Sequence, residues 1–203
     1  MGLFLRNALK AGALILVLLV CACNRDVEGV GKGPVVVADS LQMRDPVRSV
    51  PAFRGVDQNG RTFDSEAMKG KWWIGSFFFT SCETICPMIN TVVADLQKKW
   101  SSKLSFVSVT TDPENDTQKV LAAYAKEYGA RDGVWYFVRM PMDSMMVLAE
   151  SGMGVMKPVT PAGHSTRLVL VDDKMQVRDY FDGTDSVAVA RLDAMLNAMK
   201  VAQ

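Results

Sequence analysis

The sequence has few of the residues that build histidine-rich metal sites and disulfide scaffolds. Its 203 residues include one histidine and four cysteines. One imidazole excludes any site that needs two or more histidines, and four cysteines are too few for a disulfide framework in a chain of this length. Any metal site in this protein must therefore use sulfur ligands.

The chain also has no excess of charge of either sign. Lys and Arg number 23, Asp and Glu number 22, and the formal net charge is +1. A nucleic-acid partner is not expected, because such binding needs basic side chains clustered on one face. The 49% hydrophobic and 22% charged content exclude a disordered chain and fit one ordinary domain with appendages.

The N-terminal residues have the composition of an export signal. Arg6 and Lys10 precede an apolar run at residues 11–22, which is shorter than the roughly 20 residues of a membrane-spanning helix. We predict a signal peptide over residues 1–22. The small residue before Cys23 resembles a bacterial lipobox, so Cys23 is the predicted lipidation site and mature N-terminus. Plain secretion and an uncleaved short anchor are the alternatives.

Residues 23–50 are predicted to form a tether, because they contain several glycines and scattered charges without a helical period. A lipid on Cys23 would then hold the domain at a membrane, on its periplasmic or other extracytoplasmic side. We therefore expect an exported, membrane-anchored protein.

Hydrophobic periodicity after residue 50 predicts alternating strands and helices. A hairpin around Asn59 and Gly60 is followed by three strand–helix units, a second hairpin and a last helix. This order predicts an α/β, thioredoxin-like fold over residues 51–203, with a mixed central sheet flanked by helices and an added N-terminal hairpin. Residues 72–79 are almost continuously apolar, which predicts the strand at the centre of the sheet.

Two cysteines follow this predicted central strand. Cys82 and Cys86 lie in the segment TSCETICP, at the strand end where open α/β sheets place functional groups. In a helical turn, residues four apart share one side, so the two thiols can meet at one metal ion or form a disulfide. The spacing does not choose between metal and redox chemistry, and a structural disulfide or two inert buried thiols are the alternative.

The single histidine, His164, lies in a loop immediately before the predicted strand RLVLV. A lone histidine is as often a hydrogen-bonded side chain as a metal ligand. With Cys82 and Cys86 it would complete a soft set of three ligands, which suits Cu(I), can also hold Cu(II) and would leave zinc an open position. Copper is favoured because such ligands bind Cu(II) more tightly than Zn(II).

Two aspartates in the segment TDPENDT are candidates for a supporting role. Asp112 and Asp116 follow the next predicted strand and could orient His164 or tune the thiolates through hydrogen bonds. The alternative is a local structural role, in which Asp112 shapes a turn before proline and Asp116 caps the following helix.

From about residue 51 to residue 192 the chain resembles the Sco/SenC family of copper-binding proteins, which assist cytochrome c oxidase assembly. The resemblance rests on the motifs GRTF, GKWWIGSFFFTSCETICP, SVTTDPENDT and GHSTRLVLVDD. It implies that Cys82, Cys86 and His164 bind one copper ion. The family usually has Pro-Asp after the first cysteine, where this chain has Glu83 and Thr84.

The resemblance implies a metallochaperone that delivers copper to a copper-accepting protein such as cytochrome c oxidase subunit II, at its binuclear copper centre, without breaking a substrate bond. The alternative is an enzyme, a thiol-disulfide oxidoreductase in which Cys82 and Cys86 form the redox pair and His164 is dispensable. A thiol reductant protein is a further expected partner, because thiols must be reduced before they bind metal.

Overall fold

The computed structural model describes residues 46–155 and 165–199. The strands are β1 (Arg48–Ser49), β2 (Arg54–Val56), β3 (Thr62–Asp64), β4 (Trp72–Phe78), β5 (Leu104–Thr110), β6 (Trp135–Val138), β7 (Arg167–Val171) and β8 (Gln176–Asp182). The helices are α1 (Ile85–Trp100), α2 (Gln118–Glu127), α3 (Met142–Val147) and α4 (Ser186–Ala198), with a 3₁₀ turn at Ser65–Met68 and a π-helical turn at Leu148–Gly152.

Six strands form one mixed sheet in the order β1-β8-β7-β4-β5-β6. β4, β5 and β6 pair in parallel, whereas β4–β7, β7–β8 and β8–β1 pair antiparallel. One apolar cluster joins the sheet to α1, α2 and α4, and a second joins it to α3 and the β2–β3 hairpin. The predicted α/β, thioredoxin-like fold is therefore confirmed.

The position of β4 at the centre of the sheet follows from its sequence. All of its residues except Trp72 are buried, and β4 lies between β5 and β7. A strand covered on both faces cannot carry polar chemistry along its length. Polar groups that contribute to function must therefore lie at its ends.

The added hairpin is also present. β2 and β3 pair antiparallel, and the turn between them places Gly60 at a φ of 78°, a conformation that glycine adopts without strain. The Asp57 carboxylate accepts hydrogen bonds from the backbone N–H groups of Asn59 and Arg61 and so closes the turn. Val56 pairs with Arg139, which attaches the hairpin beside the end of β6.

The N-terminal predictions fall mainly outside the described residues. The signal peptide at residues 1–22, Cys23 and residues 24–45 of the tether lie there. Arg48 and Ser49, which the sequence analysis placed in the tether, pair with Val177 and Gln176 of β8. Over residues 46–155 and 165–199, no helix has the length and apolar character needed to cross a membrane.

Three buried polar side chains at the centre of the sheet satisfy one another. Ser76 and Ser108 face each other in the β4–β5 register, and their hydroxyl oxygens are 2.8 Å apart. The indole N–H of Trp135 donates to the Ser108 oxygen at 2.9 Å. Ser108 is thus the shared partner of two other groups.

We predict that Ser108→Ala lowers the free energy of unfolding by about 1–3 kcal/mol, because it leaves the Trp135 indole N–H buried without an acceptor. Denaturant titration of the purified domain measures this change. The control is Ser105→Ala, at a buried serine of the same strand whose hydroxyl makes no hydrogen bond among the described residues. Equal effects of the two substitutions would contradict the prediction.

Candidate functional site

The two cysteines lie at the carboxyl end of β4, in residues 79–86, which we call the cysteine loop. β4 ends at Phe78 and α1 begins at Ile85, so Cys82 belongs to the connection and Cys86 to the first turn of the helix. The backbone N–H of Cys82 donates to the carbonyl oxygen of Phe79, which folds the connection back toward the strand end. Both side chains are buried, with exposed fractions of 8% for Cys82 and 2% for Cys86.

Neither cysteine is part of a disulfide, and the two contact each other. The backbone N–H of Cys86 donates to the sulfur of Cys82 at 3.4 Å, and the Cys86 thiol also donates to that sulfur. This contact follows from the i, i+4 spacing at the start of a helix. The two sulfurs are therefore placed to bind one metal ion together or to form a disulfide with a small local change.

The environment makes the two thiols unequal. Burial acts to raise the pKa of Cys82, but hydrogen bonds from the backbone N–H groups of Cys86, Thr84 and Ile85 and from the Cys86 thiol lower this pKa below its usual value. Burial raises the pKa of Cys86 to about 12, and the negative charges of Cys82 and Asp116 act in the same direction. Cys82 is thus the thiol that ionises first.

Asp116 is buried beneath the cysteine loop and connects the ends of β4 and β5. Its carboxylate accepts hydrogen bonds from the backbone N–H of Thr80 at 3.2 Å and from the hydroxyl groups of Thr80 and Thr110. Only 1% of its surface is exposed. Asp116 thereby fixes the position of Thr80, two residues before Cys82.

The alternative role predicted for Asp116, as the cap of the following helix, is wrong. α2 begins at Gln118, two residues after Asp116. Its N-cap is Thr117, whose side chain accepts a hydrogen bond from the N–H of Val120. Capping of this kind needs only a short oxygen-bearing side chain, which Thr117 also supplies.

Asp112 lies in the turn before Asp116 and does not share its burial. Its side chain accepts hydrogen bonds from the Asn115 amide at 3.0 and 2.9 Å, and its backbone N–H donates to the Thr110 hydroxyl. These contacts match the predicted turn-forming alternative for Asp112. They leave Asp116 as the aspartate that contacts the cysteine loop.

Two further residues beside the cysteines were not identified from the sequence. Asn90 lies one helical turn after Cys86 on α1, is buried, and donates to the Tyr124 hydroxyl at 3.0 Å. Burial raises the pKa of Tyr124 well above its usual value. The i, i+4 spacing from Cys86 to Asn90 was available in the sequence, whereas the pairing with α2 depends on the tertiary fold.

His164 lies outside the described residues, so the structure gives no distance between its imidazole and the sulfurs. The next residue, Ser165, is buried and lies two residues before the start of β7. Since β7 runs antiparallel to β4, its first residues and the carboxyl end of β4 share one edge of the sheet. Among the described residues, no group of three or more His, Cys, Asp and Glu side chains could hold a metal ion.

The donor chemistry of the described residues fits copper as a bound cargo. Two adjacent sulfurs, one of them with a lowered pKa, are soft ligands of the kind that Cu(I) prefers and Cu(II) also accepts. Two ligands leave positions open for a third ligand and for exchange with another protein.

Comparison with known proteins connects this site to a family. The SCO1/SenC family model matches residues 42–135, which include β4, the cysteine loop and Asp116. A SCO1 protein homolog from Bacillus subtilis (strain 168) is 34% identical over 136 residues, covering 65% of this chain and 62% of that protein. The chain is similar to proteins of the SCO1/SenC family over these residues. The resemblance seen in the sequence motifs is thus confirmed.

Two further proteins extend this comparison. A protein from Stutzerimonas stutzeri that is named for copper binding is 30% identical over 128 residues, covering 61% of each chain. This chain therefore spans less than two thirds of the length of both curated relatives. The solved structure of BsSco superposes with a TM-score of 0.66 and 27% identity, covering 79% of this chain and 99% of that one. BsSco is described as a Sco-family cytochrome c oxidase assembly protein with a disulfide switch.

We predict that Cys82 is alkylated at lower pH than Cys86. The thiolate is the reactive form, so a lowered pKa exposes Cys82 to alkylation below pH 9, while the raised pKa of Cys86 protects it until higher pH. Short iodoacetamide pulses on reduced, metal-free protein between pH 6 and 10, with peptide mass spectrometry, measure the order. Faster labelling of Cys86 than of Cys82 at neutral pH would contradict it.

Proposed function

We propose that this protein binds one copper ion through Cys82, Cys86 and His164 and delivers it to another copper protein. The observation that carries the proposal is the pair of contacting thiols, neither of them in a disulfide, at the carboxyl end of the central strand. Similarity to the SCO1/SenC family and the Stutzerimonas relative named for copper binding support the choice of metal.

The two sulfurs would take part in binding at different stages. Cys82 supplies the first thiolate, because its pKa is lowered by hydrogen bonds from the start of α1. Cys86 then loses its proton as it becomes the second ligand, since a thiol must be deprotonated to bind metal. His164, the residue before Ser165 in the sequence, would complete the set.

Delivery requires that the ion leave as readily as it enters. A set of three ligands keeps a coordination position free for a donor group of the acceptor, so that copper can pass by stepwise ligand exchange. The family's role in cytochrome c oxidase assembly points to subunit II and its binuclear copper centre as the acceptor. No substrate bond is broken in this process, so the protein would act as a metallochaperone.

The cellular location is proposed from the N-terminal sequence. A signal peptide at residues 1–22 would export the chain, lipid on Cys23 would anchor it in a membrane, and the tether would leave the domain mobile on the periplasmic or other extracytoplasmic side. Such a compartment oxidises thiols, so a thiol reductant protein would have to keep Cys82 and Cys86 reduced.

We predict that the reduced domain binds one Cu(I) per chain and that Cys82→Ser, Cys86→Ser and His164→Ala each weaken binding by at least about a hundredfold. Removing a ligand is expected to cost more than the roughly 10–100-fold cost of removing a group that only supports one. Anaerobic titration against a competing Cu(I) chelator measures the affinities.

The matched control is Met88→Leu, which removes an exposed thioether sulfur at the start of α1 and leaves both thiols in place. The control should bind copper as the unaltered protein does. Unchanged affinity in His164→Ala would reject the three-ligand site, and unchanged affinity in both cysteine variants would reject copper binding at the cysteine loop.

A second candidate function is thiol-disulfide exchange, and the unequal pKa values of the two cysteines favour it. The Cys82 thiolate would attack a disulfide of the copper-receiving partner and form a mixed disulfide, releasing one partner thiolate. Cys86 would then attack the Cys82 sulfur and release the second thiolate. The partner gains two electrons, and the chain is left with a Cys82–Cys86 disulfide that the reductant protein must reduce.

If this second function operates, Cys86→Ser should accumulate the mixed disulfide, because the residue that resolves it is absent, and His164→Ala should leave the exchange rate unchanged. Non-reducing gels and mass spectrometry with a disulfide-containing peptide of the copper acceptor test both outcomes. An exchange rate no faster than that of free cysteine would reject the oxidoreductase reading.

A further inference from the structure

The buried carboxylate of Asp116 has no cationic partner among the described residues. Every hydrogen bond that its oxygens make in this part of the chain comes from a neutral group of Thr80 or Thr110. No lysine or arginine of residues 46–155 and 165–199 forms an ion pair with it. A buried negative charge without a cation lowers the stability of a fold. The burial of Asp116 therefore needs a reason beyond the connection of β4 to β5.

The hydrogen bonds show that the Asp116 side chain acts as an acceptor. The backbone N–H of Thr80 can only donate. The Thr110 oxygen accepts from the N–H of Asp112, which leaves its own hydrogen directed to Asp116. Both oxygens of the Asp116 side chain therefore accept hydrogen bonds, as the oxygens of a carboxylate do.

Asp116 also lies within electrostatic range of the Cys86 thiol. The backbone N–H of Phe79 donates to that sulfur, and the N–H of the next residue, Thr80, donates to the carboxylate. Adjacent backbone groups thus hold the proposed metal ligand and the buried charge. In this water-poor setting the charge is screened only weakly.

We propose that Asp116 sets the oxidation-state preference of the copper site and favours Cu(II) over Cu(I). This inference rests on the proposed copper-binding function. With the same ligands, the Cu(II) form of the site carries one more positive charge than the Cu(I) form, however many thiol protons the metal displaces. A fixed negative charge nearby therefore stabilises the Cu(II) form more than the Cu(I) form.

The test compares Cu(II) and Cu(I) affinities of the unaltered domain and of Asp116→Asn by competition with a chelator for each ion. We expect the ratio of Cu(II) to Cu(I) affinity to fall by about tenfold in Asp116→Asn, because one unit-charge interaction is lost. The reduction potential of the bound one-electron couple should rise by about 59 mV, the equivalent of that ratio.

Two other variants separate charge from structure. Asp112→Asn removes a carboxylate from the same loop that is partly exposed to solvent, and the ratio should stay within about twofold of the unaltered value. Asp116→Glu retains the charge and should preserve the ratio better than Asp116→Asn does. Thermal unfolding of each metal-free variant shows whether it is folded, and Asp116→Ser serves as a second neutral variant.

The outcomes are distinguishable. If the domain binds copper but neither neutral variant changes the ratio, or if Asp112→Asn changes it equally, the proposal for Asp116 is overturned while the copper-binding function stands. If neither neutral variant folds, the carboxylate is a folding requirement and the proposal is likewise rejected. If the unaltered domain does not bind copper, the proposed function itself fails.

Discussion

The burial of β4 on both faces is the constraint on which the rest of the structure depends. Apolar side chains from two separate clusters cover this strand, and its parallel partner β5 is equally buried. Nothing reactive can be placed along such a strand, so the chemistry is confined to the point where it leaves the sheet. The cysteine loop, Asp116 and the approach to β7 all meet at that edge.

This arrangement makes the two cysteines chemically different although they lie within one helical turn. Cys82 accepts hydrogen bonds from backbone N–H groups at the start of α1, whereas Cys86 is packed into the core, where the charge of Asp116 acts with burial to raise its pKa. Disulfide exchange starts from one ionised thiol, whereas metal binding requires both thiols to lose their protons. The same pair of sulfurs therefore suits both the proposed copper delivery and the proposed thiol exchange.

Much of this architecture could be predicted from the sequence, because its signals are local. The apolar run of β4, the Asn59-Gly60 turn and the i, i+4 cysteines each fix their structure within a few residues. The hydrogen bonds of Asp116 could not be predicted, since its donors lie in the loop after β4 (Thr80) and at the end of β5 (Thr110), which only the folded sheet brings together. The short β1 was missed for a similar reason, because Arg48 and Ser49 carry no strand pattern and pair only because β8 offers a free edge.

That pairing has a consequence for solubility. An uncovered outer strand offers unpaired N–H and C=O groups to any other extended polypeptide, which makes it a starting point for aggregation. β1 pairs with the first residues of β8. The Arg48 guanidinium holds β1 in place by donating hydrogen bonds to the backbone carbonyl oxygens of Glu150 and Ser151. The chain thus shields its own sheet with the residues that arrive from the N-terminus, and shortening the protein to residue 51 would expose this strand to self-association.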